Sequence, residues 1–247
     1  MWYQLQSLAC GALSLIFPEA CQVCGSQRAR REDGYVCSTC WSVPGAIQFI
    51  RPPFCDRCGL PFEGALNTEF ICANCHDLEL HFSSARSAVI NDRLVRDIIH
   101  RFKYQRQLWL EPFLVDLLLR ELKPWLRDRT WDCLVPVPLH PQREREREFN
   151  QSLRLALAVS TATGLACHGR VLRRTRFTQT QTALTREERT KNMRKAFALQ
   201  GRFPLKGKRV ILIDDVFTTG ATTSECARAL RSAGAADVCV WTVARGI

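Results

Sequence analysis

The sequence lacks the features that place a protein in a membrane or outside the cell. None of its apolar runs reaches the ~18 residues that a membrane-spanning helix requires. The apolar stretch 1–17 has no basic segment ahead of it and no clear small-residue cleavage site. We interpret it as a short helix rather than a signal peptide. We therefore expect a cytoplasmic protein without a membrane span.

Acidic residues are scarce in one segment, and this scarcity accounts for the net charge. Residues 168–209 contain thirteen Lys/Arg but only two Asp/Glu, a net charge of +11, which equals that of the whole 247-residue chain. Such a local excess indicates a site for phosphates or nucleic acid. The alternative is a solvated, arginine-rich surface loop.

Cysteine, in contrast, is abundant: the chain has thirteen, and eight of them form four Cys-x-x-Cys pairs within the first 75 residues. Structural Zn²⁺ takes four ligands at tetrahedral corners, and a Cys-x-x-Cys turn supplies two of them. The spacing predicts two structural zinc sites built from Cys21, Cys24, Cys37, Cys40, Cys55, Cys58, Cys72 and Cys75.

The sequence does not decide two features of these sites, namely the pairing of the motifs and the identity of the last ligand. Pairing of neighbouring motifs gives one site within residues 21–40 and another within 55–75, whereas cross-bracing would join the first motif to the third. His76 follows Cys75 and could replace it as a ligand. A disulfide framework is the alternative to zinc, but it requires export, for which the sequence has no signal.

Beyond residue 80 the apolar residues follow the periods of alternating helices and strands. Five apolar residues between Leu94 and Phe102 recur at helical spacing, and "VILI" at 210–213 is typical of a buried strand. Alternation of such elements predicts βαβ units around a parallel sheet. We expect an α/β domain over 81–247, preceded over 1–80 by a helix and a double zinc ribbon.

The segment 210–230 places two acids directly ahead of a loop suited to an anion. Its strand ends at Asp214 and Asp215, and "TTGAT" at 218–222 precedes a predicted helix. Helix N-termini offer amide groups to phosphate, and glycine lets the backbone approach. Carboxylates would repel that phosphate unless sugar hydroxyls or a divalent cation lay between them. A sugar phosphate therefore fits both halves of the segment.

A nucleotide-binding P-loop does not fit this segment. The P-loop pattern ends in Gly-Lys-Ser/Thr, whereas Ala221 follows Gly220 here. The remaining alternative is a strand–turn–helix in which the two acids are incidental.

These residues resemble the motif of type I phosphoribosyltransferases that binds 5-phosphoribosyl-1-pyrophosphate (PRPP). With a double Cys₄ ribbon ahead of it, the chain is similar to the ComF family, which includes competence and GntX-like proteins. The stretches "PLHPQREREREFNQ" at 138–151 and "QTALTREERTKNMRKAF" at 181–197 also resemble segments of that family. One residue departs from the pattern: Glu148 stands where the family usually has glycine before Phe-Asn-Gln.

The resemblance implies a type I phosphoribosyltransferase-like domain that binds PRPP with Mg²⁺. Asp214 and Asp215 would hold the ribose hydroxyls, directly or through metal-bound water. The 5-phosphate would be bound by Thr218, Thr219, Gly220, Ala221 and Thr222. The basic residues for pyrophosphate would be Lys103, Arg143, Arg145, Arg147 and Arg189. Without the resemblance, the Arg/Glu alternation at 143–148 equally fits an ion-paired helix face.

Two functions of different classes follow from the resemblance. The first is a cytoplasmic factor that handles single-stranded DNA in natural transformation or DNA utilisation, with PRPP as ligand and DNA-uptake or helicase machinery as partner. The second is an active phosphoribosyltransferase of nucleotide salvage or synthesis. Residues 1–80 carry five Lys/Arg and eight Asp/Glu. We therefore expect the basic segment 168–209, rather than the ribbons, to contact DNA.

Overall fold

The fold is described by a computed structural model that covers residues 20–30, 34–43, 45–64, 69–76, 78–176, 195–201 and 203–247. The helices are α1 Ser38–Ser42, α2 Ala73–His76, α3 Arg93–Tyr104, α4 Glu111–Leu126, α5 Pro141–Arg147, α6 Gln151–Thr163 and α7 Ala221–Ser232. A short 3₁₀ helix, Leu108–Leu110, precedes α4. The strands are β1 Ser84–Ile90, β2 Cys133–Pro136, β3 Ala166–Cys167, β4 Leu172–Arg174, β5 Phe197–Leu199, β6 Arg209–Phe217 and β7 Asp237–Arg245.

Five strands form one parallel sheet in the order β1-β7-β6-β2-β3, while β4 and β5 form a separate antiparallel pair. The two long central strands, β6 and β7, are buried along nearly their whole length. Burial on both faces explains why their sequences read as apolar runs rather than as alternating patterns. The predicted α/β fold with a parallel sheet is confirmed.

The chain leaves two neighbouring strands, β2 and β6, in opposite directions. From β6 it passes through α7 to β7 on one side, and from β2 it passes through α5 and α6 to β3 on the other. This reversal opens a crevice at the carboxyl ends of both strands, where open α/β sheets bind ligands. The fold thereby brings the segment 137–147 next to the loop 218–222.

Capping side chains fix the N-terminal ends of two helices that line this crevice, α3 and α6. Asp92 Oδ1 accepts a hydrogen bond from the Arg93 amide at 2.6 Å and begins α3. Asn150 Oδ1 accepts one from the Ser152 amide at 2.9 Å and begins α6. Helix α6 ends at Gly164, as predicted, with φ at 77°. Such caps satisfy amide groups that a helix cannot satisfy internally.

The cysteine-rich N-terminal part, residues 20–76, packs against both faces of the sheet. Cys21 and Cys37 belong to the apolar core that α3, α4 and α6 form on one face. Cys55 and Cys58 belong to the core under α7 on the other face. The cysteine-rich part and the rest of the chain thus share both apolar cores. The division into residues 1–80 and 81–247 stays a prediction.

No helix within the described ranges has the length and apolar character needed to cross a bilayer. The stretch 1–17, for which the sequence predicts a helix, lies outside those ranges.

Candidate functional site

A cavity of about 410 Å³ lies at the carboxyl ends of β2 and β6. It brings together nine of the predicted site residues, namely Lys103, Arg143, Arg147, Asp214, Asp215, Thr218, Gly220, Ala221 and Thr222. Arg145 and Thr219 are not part of its wall, and Arg189 lies outside the described residues. Residues predicted from three separate stretches of sequence therefore meet at one place.

The two acids end the apolar run of β6 and are almost fully buried, with exposures of 9% for Asp214 and 3% for Asp215. Ser152 Oγ donates to Asp214 Oδ1 at 2.7 Å, and the Asp215 amide donates to the same oxygen at 2.9 Å. Gln151 Nε2 donates to Asp215 Oδ1 at 3.4 Å. Lys103 Nζ forms an ion pair with Asp215 Oδ2.

Burial and charge separate the pKa values of the two carboxyl groups. Burial, followed by the charge of Asp215, raises the pKa of Asp214 to about 7. Burial acts on Asp215 in the same direction, but the Lys103 ammonium outweighs it and lowers the pKa of Asp215 below its usual value. Near neutral pH, one carboxyl is therefore ready to take a proton while its neighbour keeps its charge.

The loop after β6 presents backbone amides at the start of a 12-residue helix. Gly220 adopts φ 80° immediately before α7, and a Cβ at this position would lie 2.7 Å from Cζ of Phe217. Both the positive φ and the close ring favour glycine. Gly220 has no side chain to cap the helix, and Ala221 and Thr222 of its first turn help to form the cavity wall. The positive end of the helix dipole therefore lies at the cavity. This arrangement suits an anion.

Five cationic side chains contribute to the rest of the wall, namely Arg96, Lys103, Arg143, Arg147 and Arg174. Arg143 and Arg147 lie four residues apart on α5 and so share one face of that helix, whereas Arg145 is exposed. Arg147 Nη1 donates to Gln151 Oε1 at 2.8 Å, and its guanidinium lies 4.7 Å from the ring centroid of Tyr104. The excess of cations suits a ligand with several negative charges.

Several polar residues of the site were not predicted. Gln151 and Ser152 bond to the acids, and Arg96, His100, Tyr104 and Arg174 are among the others in the cavity wall. Asn150 holds the first two in place, because its Nδ2 donates to the Val137 carbonyl at 3.1 Å and ties α6 to the end of β2. The Phe-Asn-Gln stretch quoted for the family resemblance ends at Gln151 and was the signal that could have found this residue.

Glu148 shows why glycine is favoured at this position. Its φ is 69°, in the left-handed region that side chains with a Cβ rarely adopt. Its Oε1 lies 2.6 Å from Arg106 Nη1, and Glu148 is not part of the cavity wall. The departure from the resemblance therefore puts a strained residue beside the site and not a carboxylate inside it.

Two groups of four cysteines have the geometry of zinc sites. In the first group, the sulfur atoms of Cys21 and Cys40 are 3.7 Å apart, and those of Cys24 and Cys37 are 3.9 Å apart. In the second, Cys72 Sγ lies 3.7 Å from the sulfurs of both Cys58 and Cys75. A tetrahedron with Zn–S bonds of ~2.3 Å has edges of about 3.8 Å. Both groups therefore fit Zn²⁺.

Neighbouring motifs, and not crossed ones, supply each site. The first site is Cys21, Cys24, Cys37 and Cys40, and the second is Cys55, Cys58, Cys72 and Cys75. Cys75, rather than His76, completes the second group. The amide of Cys72 donates to Cys55 Sγ at 3.3 Å, a contact of the kind that orients metal ligands. Four cysteines at each site leave no open coordination position, so both sites are structural.

Comparison with known proteins agrees with this architecture. Residues 12–76 match the family model of a double zinc ribbon domain. Competence protein F of Haemophilus influenzae is 31% identical over 201 residues, 78% of this chain and 85% of that protein. DNA utilization protein YhgH of Escherichia coli K12 is 31% identical over 236 residues, 94% of this chain and 99% of that protein. Competence protein ComFC of Streptococcus pneumoniae is 27% identical over 87% of this chain and 90% of that protein.

Two solved structures are similar to part of the chain. An adenine phosphoribosyltransferase is 14% identical with a TM-score of 0.38, over 58% of this chain and 74% of that one. The glutamine PRPP amidotransferase of Bacillus subtilis is 23% identical with a TM-score of 0.34, over 51% of this chain and 24% of that one. The chain is 31% identical to the Escherichia coli protein along nearly its full length. It therefore belongs to the ComF family of competence and DNA utilisation proteins.

Proposed function

We propose that the cavity binds PRPP with Mg²⁺, and that this site serves the handling of single-stranded DNA in the cytoplasm. The ligand is inferred from three kinds of group that meet in one cavity: amides at a helix N-terminus, a buried acid pair and a cationic wall. PRPP has three matching parts, which are a 5-phosphate, a ribose diol and a pyrophosphate. Inorganic phosphate alone has no hydroxyl groups of a diol for the acids to bind.

The 5-phosphate would lie in the loop made of Thr218, Thr219, Gly220, Ala221 and Thr222. Backbone amides at the start of α7 would donate to the phosphate oxygens, and the helix dipole would favour their charge. The ring of Phe217 supports the loop, since it lies against Gly220. Any larger residue at 220 would meet this ring.

Asp214 and Asp215 would accept hydrogen bonds from the ribose hydroxyls through their carboxyl oxygens. Mg²⁺ usually binds one or two carboxylates together with substrate phosphates, and this acid pair beside a cationic wall fits that habit. When bound, Mg²⁺ would supply positive charge that neutralises the phosphate oxygens. Lys103 can neutralise either Asp215 or a bound phosphate from its present place in the wall.

Pyrophosphate would meet Arg143 and Arg147 on the cavity face of α5. The planar guanidinium fork binds phosphate oxygens in pairs, and the bond to Gln151 already orients Arg147. Arg145, which is exposed, would act on the ligand only at longer range. Arg189 stays a prediction for the same role.

The DNA part of the proposal is supported by the names of the relatives, which are competence and DNA utilization proteins. The basic segment 168–209 supplies the charge that single-stranded DNA would need. Under the proposed division at residue 80, the ribbons lie in a part of the chain with more acidic than basic residues. They would serve as docking surfaces for DNA-uptake or helicase machinery. The PRPP site would sense or bind the phosphoribosyl ligand.

A catalytic phosphoribosyltransferase is the second candidate. Helix α3 lines the cavity with Arg96, His100 and Tyr104, none of which is needed for the phosphate, the diol or the pyrophosphate. An acceptor with a nitrogen nucleophile would have room beside them and would displace pyrophosphate from C1 of the ribose. Release of pyrophosphate from PRPP in the presence of nucleobases or amines would favour this candidate over a binding role.

The experiment that tests the proposal is a calorimetric titration of the zinc-loaded protein with PRPP in the presence and absence of Mg²⁺. We expect Mg²⁺-dependent binding that is lost when Asp214→Asn and Asp215→Asn are combined. Absence of binding to the unchanged protein at millimolar PRPP would overturn the assignment.

Asp132→Asn is the matched control for this double variant. Asp132 is an acid that pairs with Lys208 at 3.1 Å, and it is not part of the cavity wall. Its replacement should leave PRPP binding unchanged, and a loss as large as in the double variant would point to a non-specific effect of charge.

A further inference from the structure

Arg245, the last residue of β7, is buried with only 4% of its surface exposed. Among the residues that the structure describes, no carboxylate forms an ion pair with it; its partners there are a sulfur atom and a carbonyl. Burial of an unpaired charge is strongly unfavourable. The position of Arg245 therefore requires a source of negative charge close by.

The second zinc site supplies that charge. Arg245 Nη2 donates to Cys58 Sγ at 3.3 Å. Four thiolates around one Zn²⁺ carry a net charge of about −2, because each ligand cysteine is deprotonated. A guanidinium that donates to a ligand sulfur is a contact of the kind that tunes and orients metal sites. The zinc-loaded ribbon is thus the counter-charge that keeps Arg245 in place.

The same guanidinium reaches the phosphate loop. Arg245 Nη1 donates to the Thr218 carbonyl at 3.4 Å, and its Cζ lies 4.7 Å from the ring centroid of Phe217. Cζ of the same ring lies 2.7 Å from the position that a Cβ of Gly220 would take. One buried side chain therefore contacts a zinc ligand, the first residue of the loop and the ring that supports the loop.

We propose that Arg245 is a positioning residue through which zinc in the second site holds the loop 218–222 in its binding conformation, so that zinc and PRPP stabilise each other's binding. This inference rests on the proposed function, because it takes the loop as the phosphate site. Coupling between two ligands is reciprocal. PRPP must then slow zinc loss from the second site if zinc improves the binding of PRPP.

The test measures zinc loss from each site separately. The zinc-loaded protein is exposed to a zinc-selective chelator, with Mg²⁺ alone or with Mg²⁺ and PRPP, and the freed cysteines are alkylated and counted by peptide mass spectrometry. We expect PRPP to slow alkylation of Cys55 and Cys58 by about tenfold, a typical coupling. Cys21 and Cys40 of the first site, which has no contact with the loop among the described residues, should be alkylated at an unchanged rate.

The variants separate the role of Arg245 from that of another arginine that contacts the second ribbon. In Arg245→Met the protection by PRPP should disappear and the Kd for PRPP should rise by about the same factor, while Arg245→Lys should recover part of both. Arg86→Met is the matched control. Arg86 is a half-buried arginine that also holds the second ribbon, through the Asp56 carbonyl at 2.9 Å, but it makes no hydrogen bond to the loop. The variant Arg86→Met should lower zinc retention without removing the protection by PRPP.

Two results would overturn the inference. Equal protection of both zinc sites would show that PRPP merely stabilises the whole fold. Protection that survives Arg245→Met would place the coupling elsewhere, for example on Ser224, whose hydroxyl contacts the Glu79 carbonyl at 3.4 Å. Failure of the proposed function has a different signature, because the unchanged protein would then bind no PRPP at all, while Arg245→Met would still lose zinc faster from the second site.

Discussion

Lys103 Nζ and Asp215 Oδ2 form an ion pair that is largely closed to solvent, with side-chain exposures of 15% and 4%. Lys103 comes from the last turn of α3 and Asp215 from the carboxyl end of β6. The pair therefore joins the helix that walls the cavity to the strand that carries the acids. It also gives the acid pair one built-in cation.

Replacing Lys103 by Met should destabilise the protein by about 3–5 kcal/mol, because removal of one partner leaves a buried charge uncompensated. Urea unfolding of the zinc-loaded protein measures this loss. Adding Mg²⁺ should recover more stability in Lys103→Met than in the unchanged protein, since a cation at the acids would take over the missing charge.

The double variant Lys103→Met with Asp215→Asn is the control for that measurement. It removes both charges and should recover most of the lost stability. If it is as unstable as Lys103→Met, the loss comes from packing of the lysine stem and not from the ion pair.

The protonation of Asp214 should make stability depend on pH. Its pKa in the folded protein is about 7, above the ordinary value of 3.8, so the folded state binds this proton more tightly than the unfolded state. The stabilisation from the proton is therefore present at low pH and is lost as pH rises through about 7.

Asp214→Asn removes this titration and keeps the shape of the side chain. The stability of the unchanged protein relative to Asp214→Asn should fall between pH 6 and pH 8, by at most about 1.4 kcal/mol per pH unit. Thermal unfolding of both proteins across that range measures the difference. Two parallel curves would contradict a raised pKa for Asp214.

Glu148→Gly should leave the protein as stable or make it more stable, by up to about 1 kcal/mol. A left-handed backbone costs a residue with a Cβ roughly 1–2 kcal/mol, and the exposed ion pair with Arg106 returns only ~0–1 kcal/mol. Glu148→Ala loses the ion pair and keeps the strain, so it should be the least stable of the three. Any other order in urea unfolding would contradict strain at this position.

Binding of single-stranded DNA should depend steeply on salt if the basic segment makes the contact. The informative variant replaces three exposed arginines of this segment by Gln, namely Arg170, Arg173 and Arg176. Each phosphate contact that is lost should lower the slope of log K against log salt by ~0.7. Fluorescence anisotropy with a labelled oligothymidine measures the slope.

The control for this variant removes the same charge elsewhere, at the exposed arginines of the α4 end, Arg120, Arg127 and Arg129. It should change the slope little. Equal effects of the two variants would mean that total charge, and not the basic segment, governs DNA binding.

Local patterns predicted much of this molecule because the forces behind them are local. The Cys-x-x-Cys spacing is set by the zinc tetrahedron itself, so the ligands of both sites were predictable. Apolar runs and helical periods predicted the parallel sheet, and the left-handed Gly164 ended α6 where expected. The period of an α-helix could also have separated Arg145 from Arg143 and Arg147, which share a face.

Contacts between distant parts of the chain were not predictable in the same way. Ser152 and Asp214 meet only because α6 packs beside β6, and no local pattern contains that packing. The partner of Lys103 and the burial of Arg245 against Cys58 likewise depend on tertiary structure. The choice between local and crossed zinc pairing was open for the same reason, since both satisfy one sequence spacing.

The strand order also has a consequence for how the protein is made. β7 follows every other strand along the chain, yet it lies between β1 and β6 in the sheet. While a ribosome synthesises the chain, β1 must wait for a partner that emerges roughly 150 residues later, on the order of ten seconds at typical rates. The zinc ligands, which end at Cys75, emerge before any of the strands. The nascent chain can thus bind zinc before β7, which joins β1 to β6, has been synthesised.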